Sequence, residues 1–421
     1  MARRKAGASQ VAELGLPSTK TPGWEFTDLA ELVEQDFITP NGSADLEARS
    51  RADVVLNPPK DAMRLVQVDG TPVGEAPQPA DGGGEIPTDP IVTTLAAAAD
   101  LYPALVAEKL GALAAPDDPF VARNDAAWKG GAFIYVPRGK RLEGPAQVAA
   151  VHDSDGAAIA FRTLIVLEEG AEAEVWEQWL ATEHQRHGLF NTVTEIFVGA
   201  GATLRYVTAQ GLGENSWVFA SQKAEIERDA TLDWVALGFG SAHGKVRMET
   251  RLTGPGSSAK VTGAYAGGGS QHLDFDTRQE HAAHNTFSDL AFRGVLDDEA
   301  TAVWRGMIRV DKGAQQTDAF QESRNLLLSK RAHADAIPGL EIEADDVRCT
   351  HAAAVAQIDT EQLHYLRAHG LTIEDAKRLV IEGFLEALVE RLGDGPVRAA
   401  VSVALERRLG ELLGERDAAP A

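Results

Sequence analysis

Two residues near the end of the chain are equipped for metal chemistry: Cys349, the only cysteine of the 421 residues, and His351 two positions on. A thiolate and an imidazole are donors for soft or borderline metals. In an extended strand, side chains two apart share a face, so Val347, Cys349 and His351 line up on one side. The plainer reading is that a lone strand cysteine is a small apolar residue and its histidine neighbour a satisfied structural group. Other spacings are also compatible with metal. His272, Asp274 and Asp276 alternate, and His281 lies three residues before His284, but a polar ladder on a strand or a solvated turn explains both. Asp297-Asp298-Glu299, followed by a turn-like Ala300, reads as a solvated corner rather than a pair of catalytic carboxylates. No Walker motif, glycine-rich dinucleotide fingerprint or nucleophile elbow is present, so nucleotide chemistry belongs to some other protein.

The elements that must position Cys349 and His351 are β. From about Phe133 to Gln357, Val, Ile, Thr and aromatic residues alternate with charges, and Gly or Asp interrupts every dozen residues or so. The turns Gly170-Ala171, Gly201-Ala202, Asp229-Ala230 and Ser257-Ser258 recur in phase, about 30 residues apart. That recurrence, with no helix between, predicts a β-solenoid in preference to an antiparallel sandwich or barrel. A solenoid has unpaired strand edges at its ends, and Cys349 and His351 fall near the last strand, close to such an end.

After Gln357 the pattern turns helical. Asp359 caps a helix over 360–368, with Gln362 placed to return the hydrogen bond and Gly370 to stop it. Thr372 with Asp375 forms a capping box for a helix to about Leu392. Its stripe is Ile373, Ala376, Val380, Phe384 and Leu388, widened by Ile381, Leu385 and Leu392. After the turn 393–396, Val397, Val401, Leu405, Leu409 and Leu412 mark a last helix. The stripes serve helix packing, a partner surface, or both. Upstream, 71–90 is crowded with Pro and Gly (Pro77, Pro79, Gly82, Gly83, Gly84, Pro87) and reads as a linker, while 91–113 predicts a helix interrupted near Pro103. The expected organisation is an N-terminal mixed and helical region over 1–130, a β-solenoid over 131–357 and a C-terminal helical region over 358–421.

Composition sets further bounds. The length supports two or three domains, and 44% apolar content allows sizeable cores. A net charge of −23 argues against binding nucleic acid or an anionic membrane through a general field. One cysteine excludes an intramolecular disulfide and fits a reducing compartment. The basic start Met1-Ala2-Arg3-Arg4-Lys5 is followed by no long apolar run, so neither a secretory signal nor a membrane span is expected, and the expected location is cytoplasmic.

Several runs carry a family resemblance. Asp318-Ala319-Phe320-Gln321-Glu322-Ser323-Arg324-Asn325, Pro338-Gly339-Leu340-Glu341-Ile342, Asp345-Asp346-Val347-Arg348-Cys349-Thr350-His351 and Glu361-Gln362-Leu363-His364-Tyr365-Leu366-Arg367 closely resemble the SufB/SufD family, scaffold proteins of the SUF system for iron–sulfur cluster assembly. Gln271-His272-Leu273-Asp274, Trp304-Arg305-Gly306-Met307-Ile308, Gly131-Ala132-Phe133-Ile134-Tyr135-Val136-Pro137 and Trp24-Glu25-Phe26-Thr27-Asp28-Leu29 extend the likeness over nearly the whole chain. SufB-type chains carry additional cysteines, one of them in the helix where this sequence has Tyr365-Leu366, so the resemblance is to the SufD side of the family.

The resemblance implies a right-handed parallel β-helix flanked by helical domains. It implies a non-enzymatic scaffold subunit in a SufBCD complex with SufB and two copies of the ATPase SufC, each docked on the C-terminal helices of one scaffold chain. The scaffold pair would meet through the β-helices, with a nascent cluster near the seam. Cys349 and His351 then become candidate cluster or metal ligands, and Leu371, Ala376, Val380, Phe384 and Leu388 a candidate SufC surface. One thiolate and one imidazole do not complete four ligands, so the rest would come from SufB. The cluster would be transient, with no stable cofactor in the isolated chain. Without SufB, the exposed edge could pair with a second copy as a homodimer. The alternative is a β-helix polysaccharide lyase or hydrolase, for which an aromatic content of 6% is low.

Overall fold

The computed structural model describes residues 2–40, 46–56, 58–74, 86–115 and 117–414. In chain order the strands are β1 (Met63–Val68), β2 (Thr71–Pro72), β3 (Ile91–Thr94), β4 (Gly130–Val136), β5 (Ala146–His152), β6 (Ala157–Leu167), β7 (Glu172–Ala181), β8 (His187–Val198), β9 (Thr203–Gly211), β10 (Asn215–Ile226), β11 (Thr231–Gly238), β12 (His243–Leu252), β13 (Ser258–Gly267), β14 (His272–His281), β15 (Phe287–Leu296), β16 (Thr301–Val310), β17 (Thr317–Leu327), β18 (His333–Ile342) and β19 (Val347–Gln357). The helices are α1 (Ala2–Leu14), α2 (Ala30–Val33), α3 (Leu46–Val55), α4 (Leu95–Leu101), α5 (Pro103–Lys109), α6 (Pro119–Ala127), α7 (Thr360–Ala368), α8 (Ile373–Val389) and α9 (Pro396–Leu412), with a 3₁₀ turn over Glu390–Leu392.

From β4 to β19, successive strands alternate between two sheets and every ladder is parallel, which makes a β-solenoid. Its corners explain the repeat. Between the even and the following odd strand, one residue takes the left-handed backbone region: Gly170, Gly201, Asp229, Gly256, Asn285 and Gln316. Each is followed by a small buried residue: Ala171, Ala202, Ala230, Ser257, Thr286 and Thr317. The corners lie on one another because the N–H of Gly170 donates to Ala200, that of Gly201 to Arg228 and that of Asp229 to Pro255. A bulky residue after the turn would have no room inside this pile. The fourth corner is shifted by one from its expected place: Gly256 supplies the left-handed position, and Ser257 rather than Ser258 stands where the alanines stand.

Inward side chains of both sheets fill the bore with buried Trp179, Phe190, Tyr206, Trp234, Tyr265, Phe292 and Trp304. One ionisable group lies among them. Glu177 accepts from Thr163 (2.8 Å) and Thr194 (3.1 Å) on one sheet, and from Tyr206 and Trp179 on the other. Burial pushes its carboxyl above the usual range.

The N-terminal region is fixed to the outer face by charge. Arg162, wholly buried, donates to Asp125 (3.0 Å) and Glu195 (2.6 Å). Glu195 also accepts the backbone N–H of Gly111, Leu113 and Ala114 at 2.7–3.0 Å, and Arg3 of α1 closes on Asp125 at 2.8 Å. Nearby, Trp24 stacks on Phe120, while Lys245 and Thr27 both reach Asp274.

Three sequence readings change. The helix expected over 91–113 begins with a strand, since β-branched Ile91–Thr94 pairs antiparallel with β4; Thr94 then caps α4 at the N–H of Ala97, and Pro103 starts α5. Within 71–90, Thr71–Pro72 forms a hairpin with β1, while residues 75–85, including Pro77, Pro79 and Gly82 to Gly84, lie outside the described residues. The sheets begin before residue 131, since β1 pairs with β5.

The C-terminal caps form at the residues named from sequence. Asp359 accepts from Glu361 and Thr372 from Asp375, Gly370 is left-handed, and the two long helices follow. Ile381, Leu385, Leu388, Val401, Leu405 and Leu409 pack on outward Val235, Leu237, Ala264 and Val295. Arg391 pairs with Asp289 at 3.0 Å, Lys260 and Arg205 reach the carbonyls of Arg391 and Leu392, and buried Arg408 donates to Ala266 and Gln271. No helix among the described residues is long and apolar enough to cross a membrane.

Glu195→Ala leaves Arg162 short of a partner and frees three amides, so it is expected to lower the unfolding free energy by about 3–5 kcal/mol. A urea titration followed by circular dichroism measures this; an unmoved midpoint would contradict the clamp.

Candidate functional site at the open end of the solenoid

β18 and β19 stand last in their sheets, and each pairs on one side only, with β16 and β17 respectively. Their outer edges offer a row of unmatched backbone groups. Register fixes which face each residue occupies: Cys349 lies beside Ala319, His351 beside Gln321, Ala353 beside Ser323 and Val355 beside Asn325. Those four β17 residues face the bore and are buried. Cys349 and His351 therefore share the inward side, as their spacing predicts, but no further coil covers them among the described residues. His351 is exposed. Cys349 is half-buried against the cluster of Ile308, Val310, Ala314, Ala319 and Ala344. On β18, Leu340 and Ile342 lie in register with buried Ile308 and Val310, yet remain 37% and 41% exposed. With Val355 at 43% and Ile337 at 38%, they make the terminal coil unusually apolar for an exposed surface.

The electrostatics hold the thiol in its neutral form. Burial raises the Cys349 pKa, and the Asp318 carboxylate raises it further. Among the described residues, no group of three or more His, Cys, Asp or Glu side chains is arranged to hold a metal ion. The pair thus offers a donor set that is incomplete by itself.

The other histidines singled out by spacing have polar partners within the chain. His281 sits between the hydroxyls of Thr286 (2.7 Å) and Ser288 (2.8 Å), and burial lowers its pKa to about 4. His272 meets Thr301 at 2.8 Å and His284 meets Asn285 at 2.9 Å. Asp274 is taken by Lys245 and Thr27, and burial raises the Asp276 pKa. The 297–299 corner has Asp298 in the left-handed region, accepting from Gly269, while Glu299 pairs with Arg331.

The helical candidates divide. Ala376 and Leu388, at 0% and 1% exposure, are sealed against the chain's own sheet and are not available to a partner. Leu371, Val380 and Phe384 are half-buried in the same cluster, with the Arg293 guanidinium 5.7 Å from the Phe384 ring centre. The large apolar side chains left in solvent on these helices, among the described residues, are Leu379 on α8 (49%), Tyr365 on α7 (64%) and Val403 on α9 (55%). The sequence did contain that signal: Leu379 is an apolar residue on the otherwise polar side of an amphipathic helix.

Two family models account for nearly the whole chain. Residues 150–384 match "SUF system FeS cluster assembly, SufBD core domain", and residues 1–148 match "SufBD protein N-terminal region". The chain is 29% identical over 413 residues to the iron–sulfur cluster assembly protein SufD of Bacillus subtilis, covering 96% of this chain and 93% of that one. It is 28% identical over 410 residues to SufD of Escherichia coli, covering 95% and 91%. SufB of B. subtilis is 29% identical over 287 residues, which cover 68% of this chain and 61% of SufB.

A neutral, half-buried Cys349 is expected to react with iodoacetamide more slowly at pH 7 than free cysteine does. The rate should climb as pH passes the ordinary thiol range, because only the thiolate attacks. Mass spectrometry of timed samples tests this; labelling at the free-thiol rate at pH 7 would contradict the assignment.

Proposed function

The chain belongs to the SufBD family, and from that premise we propose that it is a SufD-type scaffold subunit whose terminal coil joins SufB and, with it, holds a nascent iron–sulfur cluster. The observation that carries the reading is the incomplete pair, Cys349 and His351, on the inward face of a coil that nothing else among the described residues covers. The cluster is cargo. Cys349 supplies a thiolate once a metal or a partner's positive charge offsets its burial and Asp318. His351 supplies a ring nitrogen, and SufB supplies the remaining donors. Release is built in, because separating the two chains removes half the ligands. The exposed Ile337, Leu340, Ile342 and Val355 and the free strand edges supply the apolar area and backbone pairing for the joint.

The ATPase SufC docks on the C-terminal helices. Leu379 and Tyr365 are the anchors, with half-buried Leu371 beside them in sequence rather than Ala376 or Leu388. β19 continues through Ile358 and the Asp359 cap directly into α7, whereas the far end of α8 is pinned by Arg391, Lys260 and Arg205. A pull by SufC on α7 therefore acts on the strand that carries Cys349 and His351. In the absence of SufB, a second copy of the chain occupies the same edge.

Co-expression with SufB and SufC, anaerobic reconstitution and spectroscopy of wild type beside His351→Ala tests the cluster assignment. The expected result is an intact complex with cluster yield reduced at least about tenfold; equal yield would reduce His351 to a structural residue. Leu379→Asp is expected to abolish co-purification of SufC while leaving the far-UV spectrum of the chain unchanged. Wild-type recovery of SufC would exclude α8 as the dock.

A further inference from the structure

The outward face of the even-numbered strands carries a row of alternating charge that runs out at the open end. In register, one residue per strand, it reads Glu225 on β10, Arg251 on β12, Glu280 on β14, Arg309 on β16 and Glu341 on β18. Opposite charges directly across a strand pair attract and like charges repel, so in an alternating row every member stabilises its neighbours. Arg251 reaches on both sides, to Glu280 at 3.1 Å and to Glu225 at 3.8 Å. Arg309 pairs with Asp311 at 3.2 Å, and the Asp311 and Glu341 carboxylates together raise its pKa. Glu341 is exposed, no strand stands on its outer side, and it has no ion-pair partner of its own among the described residues. The adjoining row ends differently: Lys223, Glu249 and Arg278 alternate, but uncharged Met307 and Gly339 follow them to the edge. The other ionisable groups on β18, His333 and Asp335, face each other at 3.2 Å. On that strand Glu341 alone brings an unanswered charge to the open edge.

We propose that this row is completed by the partner: the strand that joins the β18 edge presents a lysine or arginine in register with Glu341, flanked on the inward face by apolar residues that cover Leu340 and Ile342. Both requirements come from one register. Leu340 and Ile342 continue the buried Ile308 and Val310 yet stay 37% and 41% exposed, so the inward rows lack a next member just as the charged row does. An acid at a sheet edge can also serve to keep other strands away. That role suits an edge that is polar on both faces, whereas this one lies beside open apolar surface. A second copy of the chain is the poorer occupant, because β18 contains no lysine or arginine and two such edges brought together leave Glu341 without a cation. The net charge of −23 likewise favours a partner with a basic rim. That the strand belongs to SufB rests on the proposed function above; its apolar–basic–apolar pattern rests on the charge row and the exposed rungs alone.

The test measures association of the purified full chain with immobilised SufB at about 50 mM and about 300 mM NaCl, the higher salt screening exposed pairs. Glu341→Lys is expected to slow association about tenfold at the lower salt and much less at the higher, because a charge at an interface rim acts mainly through the on-rate. Glu225→Lys makes the same change of net charge at the far end of the row, four strand spacings or about 19 Å from the edge, and is expected to stay within about twofold of wild type. Equal association of Glu341→Lys and wild type, or equal slowing in both variants, overturns the proposal and leaves the joint with SufB standing. Faster association of Glu341→Lys, or stronger self-association of Glu341→Gln than of wild type in sedimentation, overturns it in favour of a guarding acid. Wild type that does not bind SufB at all defeats the joint itself, and with it the assignment of this strand.

Discussion

A parallel coil satisfies its backbone only by lying against another coil, and this requirement organises the molecule. The ladder N–H and C=O groups along β5 to β17 are directed at the neighbouring coils, which demands stackable corners, small residues behind them and close agreement in coil length. The demand also has to stop somewhere. At the start, the antiparallel β3 and the β1–β2 hairpin close the sheets, and helices cover the flank. At the other end, β18 and β19 stop with their outer edges and much apolar surface in solvent. The chain's single thiol and its neighbouring imidazole lie on the inward face of that unfinished coil, so the geometry that leaves them incomplete also presents them.

Much of this was legible in the sequence because it is local or periodic. Left-handed corners followed by Ala need only adjacent residues, the Asp359 and Thr372 caps need only three or four, and the two-residue spacing of Cys349 and His351 settles their shared face. The family resemblance adds the same architecture from independent residues, and the matches over 1–148 and 150–384 agree with it.

The illegible parts depend on distance along the chain. Glu195 in an alternating strand reads as one more outward charge; that it gathers three amides from residues 111–114 and the buried Arg162 appears only when segments some 80 positions apart are brought together. Helix α8 shows the complementary problem. Its apolar stripe announces that something covers it without saying what, and most of the cover turns out to be the chain's own sheet, leaving Leu379 rather than Leu388 in solvent. The one-residue shift at Ser257 arose because Gly256, not the serine pair, meets the backbone requirement of that corner.

Glu177 carries a further consequence. A tube lined solely with hydrocarbon would tolerate threading errors, since one aliphatic rung resembles the next. With this carboxyl at its heart, held from both walls by Thr163, Thr194, Tyr206 and Trp179, a mis-threaded chain would strand an acid in oil. Its contribution is thus to discriminate among neighbouring ways of winding the same sequence, more than to strengthen the correct one.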